Sequence, residues 1–126
     1  MKHAKSFKDL EIYQLARELA REIYGLTKAF PKEEKYSLTD QVRRSSRSVG
    51  AQIAEAWAKR KYEKHFVSKL TDADGEQLET QHWVESARDC ELLSSDQTNE
   101  LIAKYEVLGR KLYNTIEKAH LFCSGN

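Results

Sequence analysis

The sequence predicts an all-α fold, an antiparallel up-down four-helix bundle forming a single domain. Three observations carry this prediction. Apolar residues recur at alternating steps of four and three through most of the chain, the spacing of one helical face. The stretches between these periodic blocks are short, and short connections make consecutive helices run antiparallel. Proline occurs once and glycine five times in 126 residues, with no low-complexity segment, internal repeat or linker to divide the chain. A chain of this length buries a real core without metal or disulfide support.

In the first block Ile12, Ala16, Leu19, Ile23, Leu26 and Phe30 fall on one stripe, which predicts a helix over about 8–28. Phe30-Pro31 ends it, because a residue before proline is pushed out of the helical region. Ser37 reads as the N-cap of a second helix over about 38–58, with Asp40 three residues on to meet the free amides. The inner stripe of this helix is Leu38, Val42, Ser45, Val49, Ile53 and Ala56, mostly small residues that let a neighbouring helix come close. At 100° per residue, Arg43, Arg44 and Arg47 point away from that stripe, and Ala51, Ala54 and Ala58 continue the outer face.

No glycine or proline marks the next boundary, which is placed between Ala58 and Lys61. The third helix, over about 62–92, carries Phe66, Leu70, Ala73, Gln77, Thr80, Val84 and Ala87 on its inner face, so two polar side chains in mid-core need hydrogen-bond partners. Asp72-Ala73-Asp74-Gly75 is a candidate bend within it. Ser94-Ser95-Asp96 forms a turn and cap, and Leu101, Tyr105, Leu108, Leu112, Thr115 and Ala119 step 4-3-4-3-4 along a fourth helix over about 96–121.

Composition narrows the function. No apolar run approaches the roughly 18 residues of a membrane span, and Met1-Lys2-His3-Ala4-Lys5-Ser6 lacks the apolar core of a secretory signal, so a cytoplasmic location without membrane partners is expected. Cys90 and Cys123 have no second cysteine or histidine at ligand spacing and read as reduced thiols. The sharpest enzymatic pattern is a pair of Glu-x-x-His motifs, Glu79 with His82 and Glu117 with His120, as in di-iron bundles. With a turn near Ser94, however, the two histidines differ in depth by roughly 20 Å at 1.5 Å per residue, whereas ligands of one site share a layer. His82 also lies off the inner stripe. There is no Gly-rich phosphate loop, nucleophile elbow or Cys-His dyad, and Ser45, Ser46 and Ser48 have no histidine or aspartate at usable spacing. The sequence points to binding rather than catalysis, with no metal and no cofactor.

Charge is unevenly placed, although the net charge is only +1. Residues 43–69 hold eight basic side chains against two acidic ones, a surplus of six positive charges. Residues 76–106 hold eight acidic against two basic, the opposite surplus. Such runs also occur as plain solvated helix faces. If they are functional, Arg43, Arg44, Arg47, Lys59, Arg60, Lys61 and Lys64 make a basic strip for RNA or DNA backbone, without base discrimination because no base-reading motif accompanies them. Alternatively, the strip docks on the acidic third helix of a second copy. Tyr13, Tyr24, Trp57 and Trp83 lie off the core stripes; they either cover core edges or form an interface with another subunit or a protein partner.

The run Phe30-Pro31-Lys32-Glu33-Glu34-Lys35-Tyr36-Ser37-Leu38-Thr39-Asp40-Gln41-Val42-Arg43-Arg44, followed by Ser48-Val49-Gly50-Ala51-Gln52-Ile53-Ala54-Glu55-Ala56, resembles the bacterial four-helix proteins encoded in 23S rRNA intervening sequences. The resemblance extends from about Phe7 to Glu117. Gln52 stands where the family pattern has asparagine and Ala56 where it has glycine, so a turn permitted by that glycine becomes continued helix here. The resemblance implies a four-helix bundle assembled as a homopentamer. Through a distant similarity to the accessory proteins of diversity-generating retroelements, it also implies nucleic-acid binding by the arginines of Gln41-Val42-Arg43-Arg44 and nearby basic positions. Gln41, Arg44, Ser48 and Glu55 could equally be signature residues that build structure, and a scaffold binding another protein is the alternative function.

Overall fold

The computed structural model describes residues 4–123. Its four long helices are α1 (Glu11–Thr27), α2 (Asp40–Ala58), α3 (Glu63–Asp89) and α4 (Ser95–Glu117), and no strand occurs among the described residues. They pack in chain order, α1 on α2, α2 on α3, α3 on α4, with α4 closing against α1. Cross-helix pairs give the directions. Thr27 meets Arg43 and Tyr13 meets Gly50; Arg44 meets Glu79 while Lys69 meets Glu55; Lys104 meets Glu22 while Lys111 meets Glu11. Residue numbers rise on one helix as they fall on the next, so each neighbour is antiparallel.

The predicted inner faces are the buried ones. All six stripe residues predicted for the second helix, Leu38 just before α2 among them, and all seven of α3 are buried, as are Ile12, Ala16, Leu19 and Ile23 on α1. Two apolar clusters result. The larger includes Leu19, Val49, Ile53, Phe66, Leu70, Tyr105, Leu108 and Leu112; the smaller includes Ile23, Leu38, Val42, Val84, Ala87 and Leu101. A polar layer lies between them on α2 and α3. Thr80 Oγ1 donates to Ser45 Oγ at 2.8 Å, and Ser45 donates to the Val42 carbonyl at 3.3 Å. Gln77 Nε2 donates to Asp74 Oδ1 at 3.0 Å, and its Oε1 accepts from Gln81 at 2.8 Å. Gln77 and Thr80, the two polar residues of the α3 stripe, therefore have partners, as burial demands.

Several boundaries differ from expectation, each for a local reason. Leu10 is extended (ψ 130) and splits the start of the first helix into a 3-10 turn, Phe7–Asp9, and α1. A reciprocal Ser6/Asp9 capping box closes that turn. Ser37 is not an N-cap. It lies inside a π-helical turn, Lys35–Thr39, that runs directly into α2, and its hydroxyl donates to Glu34 Oε1 at 3.0 Å. α3 continues without a break through Gly75 but stops at Asp89 rather than Leu92. There Glu91 adopts φ 61, and the amides of Glu91 and Leu92 bond to the carbonyls of Arg88 and Ala87, a Schellman ending. Ser94 caps α4 reciprocally with Gln97. That helix gives way at Lys118 to a 3-10 turn, Ala119–Leu121, which still buries Ala119. With Ala56 in place of glycine, α2 runs on to Ala58. No helix among the described residues is long and apolar enough to cross a membrane.

Candidate nucleic-acid interface

The seven basic residues expected to form one strip divide into three groups, because neighbouring positions on a helix point about 100° apart. Arg44 turns toward α3. Its Nη2 lies 2.6 Å from Glu79 Oε2 and 3.5 Å from Glu76 Oε1, and Glu79 Oε2 also accepts the Trp83 indole N–H at 3.0 Å. The Trp83 hydrogen bond first, and the Arg44 guanidinium with it, hold the Glu79 carboxyl below the usual carboxylate range. The second signature residue behaves alike: Glu55 pairs with Lys69 Nζ at 2.8 Å, and Lys69 reaches Gln52 Oε1 at 3.2 Å. Arg44 and Glu55 thus tie α2 to α3 at two levels. Trp83, for which a core edge and an interface were both open, is half-buried and fastened into the first of these ties.

Arg43 and Arg47, one turn apart, lean the other way, onto α1. Arg43 Nε donates to Thr27 Oγ1 at 2.8 Å. Its guanidinium lies 4.4 Å from the Tyr24 ring centre, with Arg47 at 5.5 Å and Lys28 Nζ at 5.0 Å. Three cations around one exposed ring gain from its π face. Below them the outer side of the α1–α2 pair opens into a groove of about 840 Å³. Ala16, Ala20, Gly50, Ala51 and Ala54 form its floor, Tyr13 and Tyr24 its aromatic surface, and Arg17, Arg21, Lys28 and Arg47 its charges; no carboxylate lines it among the described residues. Tyr13 packs edge-on against Phe7 at 4.8 Å, and its hydroxyl accepts from Arg17 Nη1 at 3.3 Å.

The α1 contribution was missed in the sequence, although a signal was present. Tyr13, Arg17, Arg21, Tyr24 and Lys28 step 4-4-3-4, a second stripe beside the apolar one.

Lys59, Arg60, Lys61 and Lys64 gather at the bundle tip where α2 hands over to α3. Arg60 lies flat on Trp57, its guanidinium carbon 3.5 Å from the ring centre, while its Nε donates to the Trp57 carbonyl at 2.8 Å. Trp57 is accordingly a core-edge residue that carries an arginine. Lys61 Nζ sits 5.7 Å from the exposed Tyr62 ring, which meets His65 edge-on at 5.3 Å. None of the four cations has a carboxylate oxygen within 4.0 Å among the described residues. α3 also begins here without a side-chain cap, so the positive end of its dipole adds to the same field. About 25 Å of helix, at 1.5 Å per residue, separates Arg43 from Arg60.

Glu79 and His82 take no part in a shared ligand set. Glu79 is engaged with Arg44 and Trp83, and the His82 ring packs against Trp83 at 4.8 Å.

Residues 8–114 match the family described as 23S rRNA-intervening sequence protein. Among solved structures, a protein of unknown function from the S23 ribosomal protein family of Bacteroides thetaiotaomicron is similar at a TM-score of 0.75 and 27% identity, over 84% of this chain and 95% of that one. No curated protein matches the chain.

Proposed function

The chain belongs to the family of 23S rRNA-intervening sequence proteins, and from that premise we infer that it is a non-enzymatic, cytoplasmic, self-assembling bundle that holds RNA or DNA backbone on its basic tip. One observation carries the reading: Lys59, Arg60, Lys61 and Lys64 lie together at the α2–α3 turn with no carboxylate oxygen within 4.0 Å among the described residues, whereas Arg44 is engaged by α3. Phosphate is the ligand such a tip accommodates at least cost, since each contact releases condensed counterions and needs no particular base. The family name links its members to ribosomal RNA, which favours RNA. The test is the salt dependence of binding. A Lys59→Ala/Lys61→Ala/Lys64→Ala variant is expected to lower the slope of log affinity against log salt by about 2 for a single strand, from about 0.7 per contact. No wild-type binding at about 50 mM salt, a permissive condition for phosphate contacts, refutes the reading.

The α1–α2 groove favours self-assembly as the companion property. Its floor of small residues and wholly basic rim suit a second copy, which carries the acidic surplus of residues 76–106 and, on its α3–α4 face, the exposed Leu78 and Tyr113 beside Glu106 and Arg110. Unlike faces that meet in this way build a ring, and the family resemblance suggests five members. Five tips on one particle would engage one nucleic acid together and raise avidity without a new kind of contact. Light scattering should give about 73 kDa, five chains of 14.6 kDa. Ala51→Arg, at an exposed position of the groove, should break the ring without unfolding the monomer. A wild-type mass of 14.6 kDa at every concentration eliminates the ring. A helix from another protein seated in the same groove is the adaptor alternative, and a monomeric wild type that still captures a protein after nuclease treatment would favour it.

A further inference from the structure

We propose that the tip formed by the α2–α3 turn is a stacking platform for single-stranded nucleic acid, with Tyr62 and the Trp57-backed guanidinium of Arg60 receiving unpaired bases. The proposal rests on the phosphate-binding reading of the same tip and adds the class of strand that fits it. Two aromatic groups stand among the cations. Tyr62 is 56% exposed although it immediately precedes α3, and its side chain makes no capping bond that would explain its presence there. Its only close aromatic neighbour among the described residues, His65, approaches edge-on at an interplanar angle of 64° and a centroid distance of 5.3 Å, an arrangement that does not cover the tyrosine ring as a parallel stack would. Arg60 supplies a second flat surface. Its guanidinium stacks on Trp57 at 3.5 Å and is held in place by its bond to the Trp57 carbonyl, so the face turned from the indole is a fixed plane of the kind that unpaired bases stack on.

The cations are placed to serve those two surfaces. Lys61 flanks Tyr62 at 5.7 Å from its ring, Lys59 precedes Arg60, and Lys64 is the second residue of α3. Phosphates on either side of a stacked base would therefore find a counter-charge, the combination that small single-strand binding modules use. A duplex offers the tip phosphates but no free base face, and the four cations are confined to positions 59–64, in the turn and the first residues of α3, rather than spread along a groove-length row. The tip can thus engage a duplex only through charge, whereas a single strand adds stacking.

The experiment is fluorescence anisotropy at moderate salt with a labelled mixed-sequence single-stranded RNA of about 12 nucleotides, inside the span of roughly 4–16 nucleotides that one small module covers, and with the matching RNA duplex. The proteins are wild type, Tyr62→Ala, Tyr62→Phe and the triple lysine-to-alanine variant at positions 59, 61 and 64, each checked for helicity by circular dichroism. Wild type is expected to bind the single strand more tightly than the duplex. Tyr62→Ala should weaken the single strand about tenfold and leave the duplex unchanged, while Tyr62→Phe should restore wild-type affinity. Equal affinity for the two forms, or a Tyr62→Ala variant that binds the single strand as wild type does, overturns the stacking proposal. In that case lysine-dependent binding of either form keeps the phosphate reading alive. Binding of neither form by wild type at about 50 mM salt removes both.

Discussion

Removing the Arg44 charge should cost the bundle stability rather than nucleic-acid affinity, and the cost can be worked from the contacts. Arg44 meets Glu79 at 2.6 Å and Glu76 at 3.5 Å, but the Arg44 side chain is 52% exposed and the Glu79 side chain 37%. Solvent at that exposure reduces the Coulomb gain to the range of partly screened pairs, so the Arg44–Glu79 coupling is placed between about 0.5 and 1 kcal/mol. Arg44→Met, which leaves two carboxylates without their cation, should cost about 1 kcal/mol or slightly more. The assay is a double-mutant cycle by urea unfolding with Arg44→Met and Glu79→Gln. Glutamine keeps an acceptor for the Trp83 indole and removes only the charge. Because the folded-state pKa of Glu79 is depressed, its contribution is complete above the unfolded carboxylate value of about 4.3 and is lost as pH falls through the lower folded value. The coupling should therefore be constant from pH 7 to about pH 5 and fade only as pH falls below the unfolded carboxylate value of about 4.3. A coupling below about 0.2 kcal/mol at pH 7, or one that persists undiminished at the lowest pH, refutes the argument. So does an Arg44→Met variant of wild-type stability that has lost nucleic-acid binding.

Three further outcomes follow from the packing. At Gly75 an added Cβ meets nothing within 4 Å, whereas at Gly109 it would lie 3.0 Å from Gln77 Nε2, which is held by Asp74. Thermal unfolding should accordingly show Gly75→Ala stabilised by about 0.5–1 kcal/mol from helix propensity and Gly109→Ala not stabilised at all; equal gains would contradict the close approach. Glu91→Gly removes a side chain from a left-handed backbone (φ 61) at the end of α3 and should raise stability by about 1 kcal/mol in urea titrations, so a loss would mean that the Glu91 side chain contributes more than its strain. The Tyr105 hydroxyl is buried with no hydrogen-bond partner among the described residues, and burial pushes its pKa up. Tyr105→Phe should then gain about 1 kcal/mol, and a loss of similar size would show that the hydroxyl is satisfied.

The core was readable from sequence because burial imposes periodicity: every inner-stripe residue named for α2 and α3 is buried. The ends were less readable, since they depend on competition between local hydrogen bonds. Ser37 had the sequence context of a cap, but the chain before it was already helical through a π turn, leaving Ser37 to bond Glu34 instead. The basic strip failed for a different reason. A helical wheel shows that Arg43, Arg44 and Arg47 avoid the core, but not which neighbouring helix each one reaches. Arg44 found carboxylates on α3, while Arg43 and Arg47 found a tyrosine on α1. The same limit hid the groove, whose two walls come from stripes on separate helices that only the packing of α1 against α2 brings together.

On the proposed reading the basic residues divide by task, with phosphate held at Lys59, Arg60, Lys61 and Lys64 and assembly served by the groove beside Arg43 and Arg47. The most direct test measures particle mass and RNA affinity on the same samples of wild type, Lys59→Glu/Lys61→Glu/Lys64→Glu and Arg43→Glu/Arg47→Glu, at about 50 and about 200 mM salt. The tip variant is expected to keep the wild-type mass and lose RNA binding, and the groove variant to fall toward the 14.6 kDa single chain while each tip keeps its weaker, salt-sensitive affinity. A groove variant of wild-type mass that no longer binds RNA, beside a tip variant that still binds it, would contradict the account.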